Sequence, residues 1–163
     1  MGHALIRFAV VIVAGFIGAP AFAQAKPDRK DMTTIEKCLK VTTGRHRAWD
    51  QCIGTISEPC RKDEEKMTPS EVIACEDRER AVWDDILNKS FRILLKALDA
   101  DQQVKLHEMQ RAWIASRDKN CEFFYDFFQG LMANPMIAAC LSRATGMQAL
   151  YLRGFADDVA DRK

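Results

Sequence analysis

The side chains with the clearest chemistry in this 163-residue chain are its six cysteines. They stand at Cys38, Cys52, Cys60, Cys75, Cys121 and Cys140. An even number of cysteines is typical of a disulfide framework in an exported protein, although several pairings are possible. A metal site would need closely spaced ligands, but the chain has no C-x-x-C pair, and His46 and His107 do not lie at ligand spacing from any cysteine. We therefore predict disulfides and no metal site.

The other residue types that perform catalysis do not form a recognisable constellation. A cysteine nucleophile needs a free thiol with a histidine, and these cysteines are predicted to be paired. No serine stands in a Gly-x-Ser-x-Gly turn, and no glycine-rich loop could cradle a phosphate. Carboxylate pairs are common along the chain, but solvated helix faces supply such pairs without a catalytic role. The sequence predicts no catalytic residues, no cofactor and no enzyme activity.

A more distinctive group of polar and aromatic residues falls within predicted helices. The group comprises Asp84, Asp85, Asn88, Gln110, Trp113, Arg117 and Asp118. If the helices face each other, these side chains can form a hydrogen-bonded network in which Arg117 pairs with an acid such as Asp84 or Glu76. A network that fixes the helix register is the favoured interpretation, and a ligand site is the alternative.

Three long amphipathic helices account for most of the chain. The first begins at Thr68-Pro69-Ser70-Glu71, which combines an N-cap with a proline in the first turn. Apolar residues then recur at spacings of three and four along each helix. Asp99–Asp101 separates the first helix from the second, and Gly130 with Asn134-Pro135 separates the second from a third over residues 136–160. No stretch alternates as a strand would, so we predict an all-α antiparallel bundle.

Residues 24–59 form a shorter N-terminal part with short helices. We predict a flexible polar lead-in over residues 24–34, a helix over Ile35–Val41 that begins at a Thr34 cap, and another over Arg45–Ile53. In this arrangement cysteines that are neighbours in sequence lie near one another, which favours sequential pairing. The pairs would be Cys38–Cys52, Cys60–Cys75 and Cys121–Cys140.

The N-terminus has the pattern of a secretory signal peptide. An apolar run over Phe8–Ala23 ends in the small residues Ala21-Phe22-Ala23, the spacing that a signal peptidase reads. The run is shorter than a membrane span and contains Pro20, so we predict a cleaved segment, no stable membrane anchor and a periplasmic or secreted protein. The predicted boundaries are residues 1–23 for the signal peptide, 24–59 for the short helical segment and 60–160 for the main helical domain.

The charge of the mature chain does not support nucleic-acid binding. Arg7 is the only charged residue of the predicted signal peptide, so the net charge of +1 falls to zero after cleavage. Nucleic-acid binding needs a basic stripe, which this balance does not indicate. The charge is nevertheless uneven, because residues 63–85 carry nine acidic and three basic side chains.

Three motifs in the main domain form a familiar set. The most specific is Gln-Arg-Ala-Trp-Ile-x-x-Arg-Asp-x-x-Cys, which is complete from Gln110 to Cys121. The second motif lies in residues 75–91 and comprises Cys75-Glu76, the run Asp-Asp-Ile-Leu-Asn at residues 84–88, and Phe91. The third lies in residues 140–145 and comprises Cys140-Leu141 and Thr145. Together they resemble the LprI-type lysozyme inhibitor family. The chain has a single Gly130 where the family often has two glycines, and no lipid-bearing cysteine at the predicted cleavage point.

This resemblance implies an exported protein that binds lysozyme and blocks it. Lysozymes are usually cationic, so the acidic segment Asp63–Asp85 would suit electrostatic steering. A loop held rigid by a disulfide would suit insertion into the lysozyme cleft, because its ordering costs little entropy on binding. The candidate loop is the turn from Gly130 through Asn134 to Pro135, pinned by a Cys121–Cys140 disulfide.

An envelope adaptor or structural protein without catalysis is the alternative function. Phe123, Phe124, Phe127 and Phe128 cannot all face one core, so an aromatic helix face could dock a periplasmic partner. The competing interpretation is that the short helices of residues 35–56 cover these rings.

Overall fold

The computed structural model describes residues 26–42 and 50–162. These residues form five α-helices and two short 3₁₀ segments, and they contain no strand. The helices are α1 (Arg29–Thr42), α2 (Ser57–Cys60), α3 (Pro69–Ala97), α4 (Ala100–Phe128) and α5 (Ala133–Asp161), and the 3₁₀ segments are Asp50–Cys52 and Glu64–Lys66. The all-α prediction is confirmed. The predicted signal peptide and residues 45–49 of the second short helix lie outside the described residues.

Capping boxes determine where α3 and α4 begin. The Thr68 hydroxyl accepts a hydrogen bond from the Glu71 N–H (3.4 Å), and the Glu71 carboxylate accepts one from the Thr68 N–H (2.7 Å). Asp99 and Gln102 form the same reciprocal pair at the start of α4 (2.9 and 3.1 Å). Since both boxes satisfy free backbone donors locally, these two boundaries follow from the sequence.

The largest helix interface joins α3 to α5, and these two helices run in the same direction. Val72 near the start of α3 lies by the first turns of α5, and Trp83 lies further along beside Gly146. A Cβ atom on Gly146 would lie 3.3 Å from the Trp83 ring and 3.0 Å from Ile53. The antiparallel helix α4 packs mainly on α5, and its buried residues are Leu106 and Cys121.

The N-terminal part is more helical than the sequence suggests. Residues 29–34 were expected to be a flexible lead-in, but they form the first turns of α1. The predicted Thr34 cap is wrong, because Thr34 lies inside the helix and its hydroxyl donates to the Lys30 carbonyl oxygen (3.0 Å). Asp28 instead accepts from the Lys30 N–H (2.7 Å) at the helix start. An ion pair between Asp31 and Arg78 of α3 then anchors α1 to the bundle.

All six cysteines are paired in sequential order, as predicted. The Cα–Cα distances are 5.8 Å for Cys38–Cys52, 5.7 Å for Cys60–Cys75 and 5.5 Å for Cys121–Cys140. The first two bridges attach the N-terminal segments to one another and to α3, and the third closes the corner between α4 and α5. None of the helices in the described ranges is long and apolar enough to cross a membrane.

Candidate functional site

The corner between α4 and α5 exposes a cluster of large apolar side chains, which we call the corner patch. Its members are Phe123, Tyr125, Phe127, Phe128, Leu131 and Met132. Phe127 is 69% exposed and Leu131 is 76% exposed. Exposed apolar side chains are common singly, but a contiguous group of this kind is typical of a contact surface.

The turn itself depends on two residues with left-handed backbone conformations. Gln129 has φ 50° and Gly130 has φ 80°, and no atom lies within 4 Å of a Cβ atom built on Gly130. Gly130 is therefore needed for its conformation and not for space. Helix α5 begins at Ala133, three residues before the predicted start, because a proline in the first turn needs no helical N–H partner.

The predicted binding loop is thus divided between a turn and a helix. Gly130 lies exposed in the turn, Asn134 is exposed in the first turn of α5, and Pro135 is buried beneath them. Phe128 of the corner patch stacks on the half-buried Phe124 with a centroid distance of 5.9 Å, and it meets Phe127 edge to face at 4.9 Å. This packing holds the rings in place although they face solvent.

A groove of about 630 Å³ runs beside the corner patch, and we call it the corner groove. Its walls are mainly apolar and come from α3, α4 and α5. They comprise Val72, Phe124, Met132, Pro135, Met136, Ala139, Cys140, Ala144 and Met147, with Arg61, Glu64 and Arg143 at the polar positions. The Cys121–Cys140 disulfide therefore stabilises both the corner patch and the corner groove.

The predicted motif residues of α3 line a different, polar cleft of about 370 Å³. Asp84, Asp85 and Asn88 lie there, together with Arg80 and Arg92. Burial raises the pKa of the Asp84 carboxyl above its usual range, while the nearby guanidinium groups of Arg80 and Arg117 act in the opposite direction.

The α4 members of the motif group make other contacts than those expected. Arg117 donates to its neighbour Asp118 (2.9 Å), and its guanidinium carbon lies 4.9 Å from the centroid of the Trp113 ring. Its hydrogen bonds therefore go to neither Asp84 nor Glu76. Gln110 accepts a hydrogen bond from Gln148 of α5 (3.1 Å), which agrees with a role in helix register.

Glu79 is the most consequential polar residue that the sequence did not single out. Its side chain is 0% exposed, and its carboxylate accepts from the backbone N–H groups of Gly54 (2.6 Å), Ile56 (2.9 Å) and Ser57 (2.7 Å). The Trp83 indole N–H donates a fourth bond (2.9 Å). The sequence held one signal of this buried position, because Glu79 stands four residues before Trp83 on the otherwise apolar face of α3.

A second buried acid, Glu76, lies one turn before Glu79. The Nε atom of Arg61 lies 2.9 Å from a Glu76 carboxylate oxygen, at ion-pair distance but outside hydrogen-bond geometry. Burial raises the pKa of Glu76 above its ordinary value of 4.5, and the charge of Glu79 adds to this. The Arg61 charge and the Ser57 and Ser142 hydroxyls oppose the rise but do not cancel it.

Comparison with known protein families gives a match over most of α2 to α5. The family model for the lysozyme inhibitor LprI matches residues 60–152, which is more than half of the chain. The chain belongs to the LprI lysozyme inhibitor family. No curated protein and no solved structure matches it.

The matched part of this LprI-family protein contains the motif residues, the corner patch and the corner groove, and the family describes inhibitors, not enzymes. Three disulfides and the family together indicate an extracytoplasmic location.

Much of the acidic segment of this LprI-family protein is neutralised within the fold. Glu76 and Glu79 are buried, and three other acids form ion pairs. These pairs are Glu64–Arg61, Asp77–Arg80 and Asp85–Lys89, each with an N–O distance of 2.7 or 2.8 Å. The segment therefore offers a weaker negative surface than its composition suggests. Within residues 26–42 and 50–162 its exposed acids outside any ion pair are Asp63, Glu65 and Glu71, and the first two flank the groove residue Glu64.

We expect the stability difference between the wild-type protein and Glu76→Gln to depend on pH. Because the folded pKa of Glu76 exceeds its unfolded value near 4.5, the folded state takes up a proton first, and this group adds stability as the pH falls. Its contribution is complete below pH 4.5 and is lost as the pH rises through the raised pKa.

Urea unfolding of both proteins between pH 4 and pH 7 measures this effect. The wild-type free energy of unfolding should gain on that of Glu76→Gln as the pH falls, while Glu65→Gln, an exposed acid, should follow the wild type. If the free energy of unfolding of the wild type instead gained on that of Glu76→Gln as the pH rises, the Arg61 ion pair would outweigh burial.

Proposed function

We propose that this protein binds lysozyme and blocks its active-site cleft with the α4–α5 corner. The observation that supports this most is the exposed corner patch at a turn closed by the Cys121–Cys140 disulfide. The acidic segment alone gives weaker support, because most of its carboxylates have partners within the fold.

The chemistry of the corner suits a cleft that holds a polysaccharide between catalytic acids. No charged side chain occurs from Phe127 to Ser142, so the corner can enter a cleft without burying an unpaired charge. Gln129 and Asn134 are exposed, and their amide groups can donate hydrogen bonds to carboxylates. Leu131 and Met132 supply apolar area that would leave water on binding.

The corner is also ordered before it meets a partner. The disulfide joins the last two turns of α4 to α5, and the stacked rings of Phe124 and Phe128 restrict the helix end between them. Preordering reduces the entropy lost on association. Asp63 and Glu65 lie toward the same end of the bundle and would favour approach to a cationic surface.

Inhibition at the lysozyme cleft fits the predicted route of this chain. We propose that residues 1–23 are removed on export and that the mature protein acts in the periplasm or after secretion. Disulfides form and persist in such oxidising compartments, and all six cysteines are paired. Mass spectrometry of the mature N-terminus tests this part of the proposal, and retention of residues 1–23 would contradict it.

We expect Leu131→Ser and Phe127→Ser each to weaken lysozyme inhibition about 10-fold or more, because a few central apolar residues supply most of the affinity of an interface. Lysis of bacterial cell walls by lysozyme, measured against inhibitor concentration, gives the inhibition constant. Val104→Ser is the matched control, since Val104 is an exposed apolar residue at the opposite end of α4. Full lysozyme activity at excess wild-type protein would contradict the proposal, and so would equal effects of all three variants.

The exposure of Phe123 and Tyr125 supports the adaptor function as a second candidate. Phe123 and Tyr125 lie on different sides of α4 and before the turn at Gly130, and a cleft that receives only the turn would leave them uncovered. A pull-down from envelope extract separates the two functions. Capture of lysozyme that weakens with added salt favours inhibition, whereas capture of a host envelope protein that is lost in Phe123→Ser favours the adaptor.

A further inference from the structure

The corner groove has the size and lining of a small-molecule site. Its volume of about 630 Å³ falls in the range of roughly 300–1,000 Å³ that is typical of ligand pockets. Met132, Met136 and Met147 contribute flexible, polarisable walls that adapt to different apolar shapes. Ala139 and Ala144 are small residues on α5 that leave room between these walls.

The polar end of the groove combines an ion-pair network with a separate arginine, Arg143. Glu64 is paired with Arg61 (2.8 Å), and Arg61 is also paired with Glu76 (2.9 Å). Arg143 is exposed and has no acidic partner within the described ranges 26–42 and 50–162. An occupant of the groove therefore meets mainly apolar walls with the Arg143 guanidinium group at the polar end.

We propose that the corner groove binds a single-chain anionic amphiphile, namely a free fatty acid. The acyl chain would lie along the methionine and alanine walls, and the carboxylate would pair with Arg143, whose planar guanidinium suits bidentate contact. The groove shares Met132 with the corner patch, but its other lining residues lie outside that patch. The inference does not rest on lysozyme inhibition.

Two probes with the same alkyl chain test this proposal. Isothermal titration below the critical micelle concentration compares dodecanoate with dodecyltrimethylammonium on the full mature protein. We expect dodecanoate to bind at least about 10-fold more tightly, since an opposite charge at the rim favours it and a like charge does not. Arg143→Gln should remove most of this difference, whereas Arg111→Gln, an exposed arginine on the outer part of α4, should preserve it.

A second variant tests the position of the acyl chain. Ala139→Trp places a large ring in the groove and should abolish binding of both probes, while its unfolding temperature shows that the bundle is intact. Equal binding of the two probes, no binding of dodecanoate, or unchanged binding by a folded Ala139→Trp protein would overturn the proposal. Sedimentation velocity adds one more arm: a dimer that Ala139→Trp dissociates would show that a second copy occupies the groove instead.

Discussion

Glu79→Gln is expected to lower the free energy of unfolding by about 3–5 kcal/mol, because the change removes one of two fully buried acceptor oxygens, each of which accepts two hydrogen bonds. The glutamine amide would place two N–H donors against a site that already holds three backbone donors and the Trp83 indole. At least one donor must then lose its partner. The unfolding midpoint should fall by roughly 10 °C or more.

Chemical and thermal unfolding followed by circular dichroism would measure this loss. Glu108→Gln is the matched control, because Glu108 is an exposed acid on α4 and its replacement should change stability by no more than about 0.5 kcal/mol. Hydrogen exchange adds a local measurement, since the amides of Gly54, Ile56 and Ser57 should lose protection first. A Glu79→Gln protein within about 1 kcal/mol of the wild type would refute the importance assigned to this carboxylate.

Replacing Cys121 and Cys140 together by serine should have the second large effect. The bridge spans a sequence separation of 19 residues, for which the loss of loop-closure restraint is worth about 3 kcal/mol. The effect should be concentrated at the end of α4, because Cys121 is the one buried residue in the last three turns of this helix. We expect amides from Phe123 to Phe128 to lose exchange protection, and lysozyme inhibition to weaken with them.

The Cys38–Cys52 bridge provides the control for this experiment. It spans 14 residues near the other end of the chain and lies far in sequence from the corner. Its double serine variant should lose comparable stability while it keeps exchange protection at Phe123–Phe128 and keeps inhibition. If inhibition survives in full in the Cys121/Cys140 variant under conditions where that variant is folded, the corner is not the inhibitory surface.

The sequence by itself predicted the three long helices and favoured the disulfide pairing that forms, although it left other pairings open and missed the first turns of α1. The Thr68 and Asp99 caps lie within three residues of the groups that they satisfy, and the apolar spacing along each helix is equally local. The cysteine pairs close short segments between neighbouring elements, so proximity along the chain predicted them correctly. Motif resemblance identified the family for a similar reason, because a motif is a pattern of spacing.

The tertiary structure alone decided which polar groups meet and which apolar groups remain exposed. Glu79 finds its backbone partners 22 to 25 residues away, and no spacing rule reports a buried carboxylate that is satisfied by a distant loop. The parallel pairing of α3 with α5 brings Gly146 close to Ile53 and Trp83, and it leaves α4 at the side of the bundle with its aromatic end exposed. Helix caps and apolar periodicity act over one or two helical turns, whereas burial depends on every element that packs nearby. The sequence therefore determined the helices and their disulfide bridges, and the tertiary packing determined which surface is available to a partner.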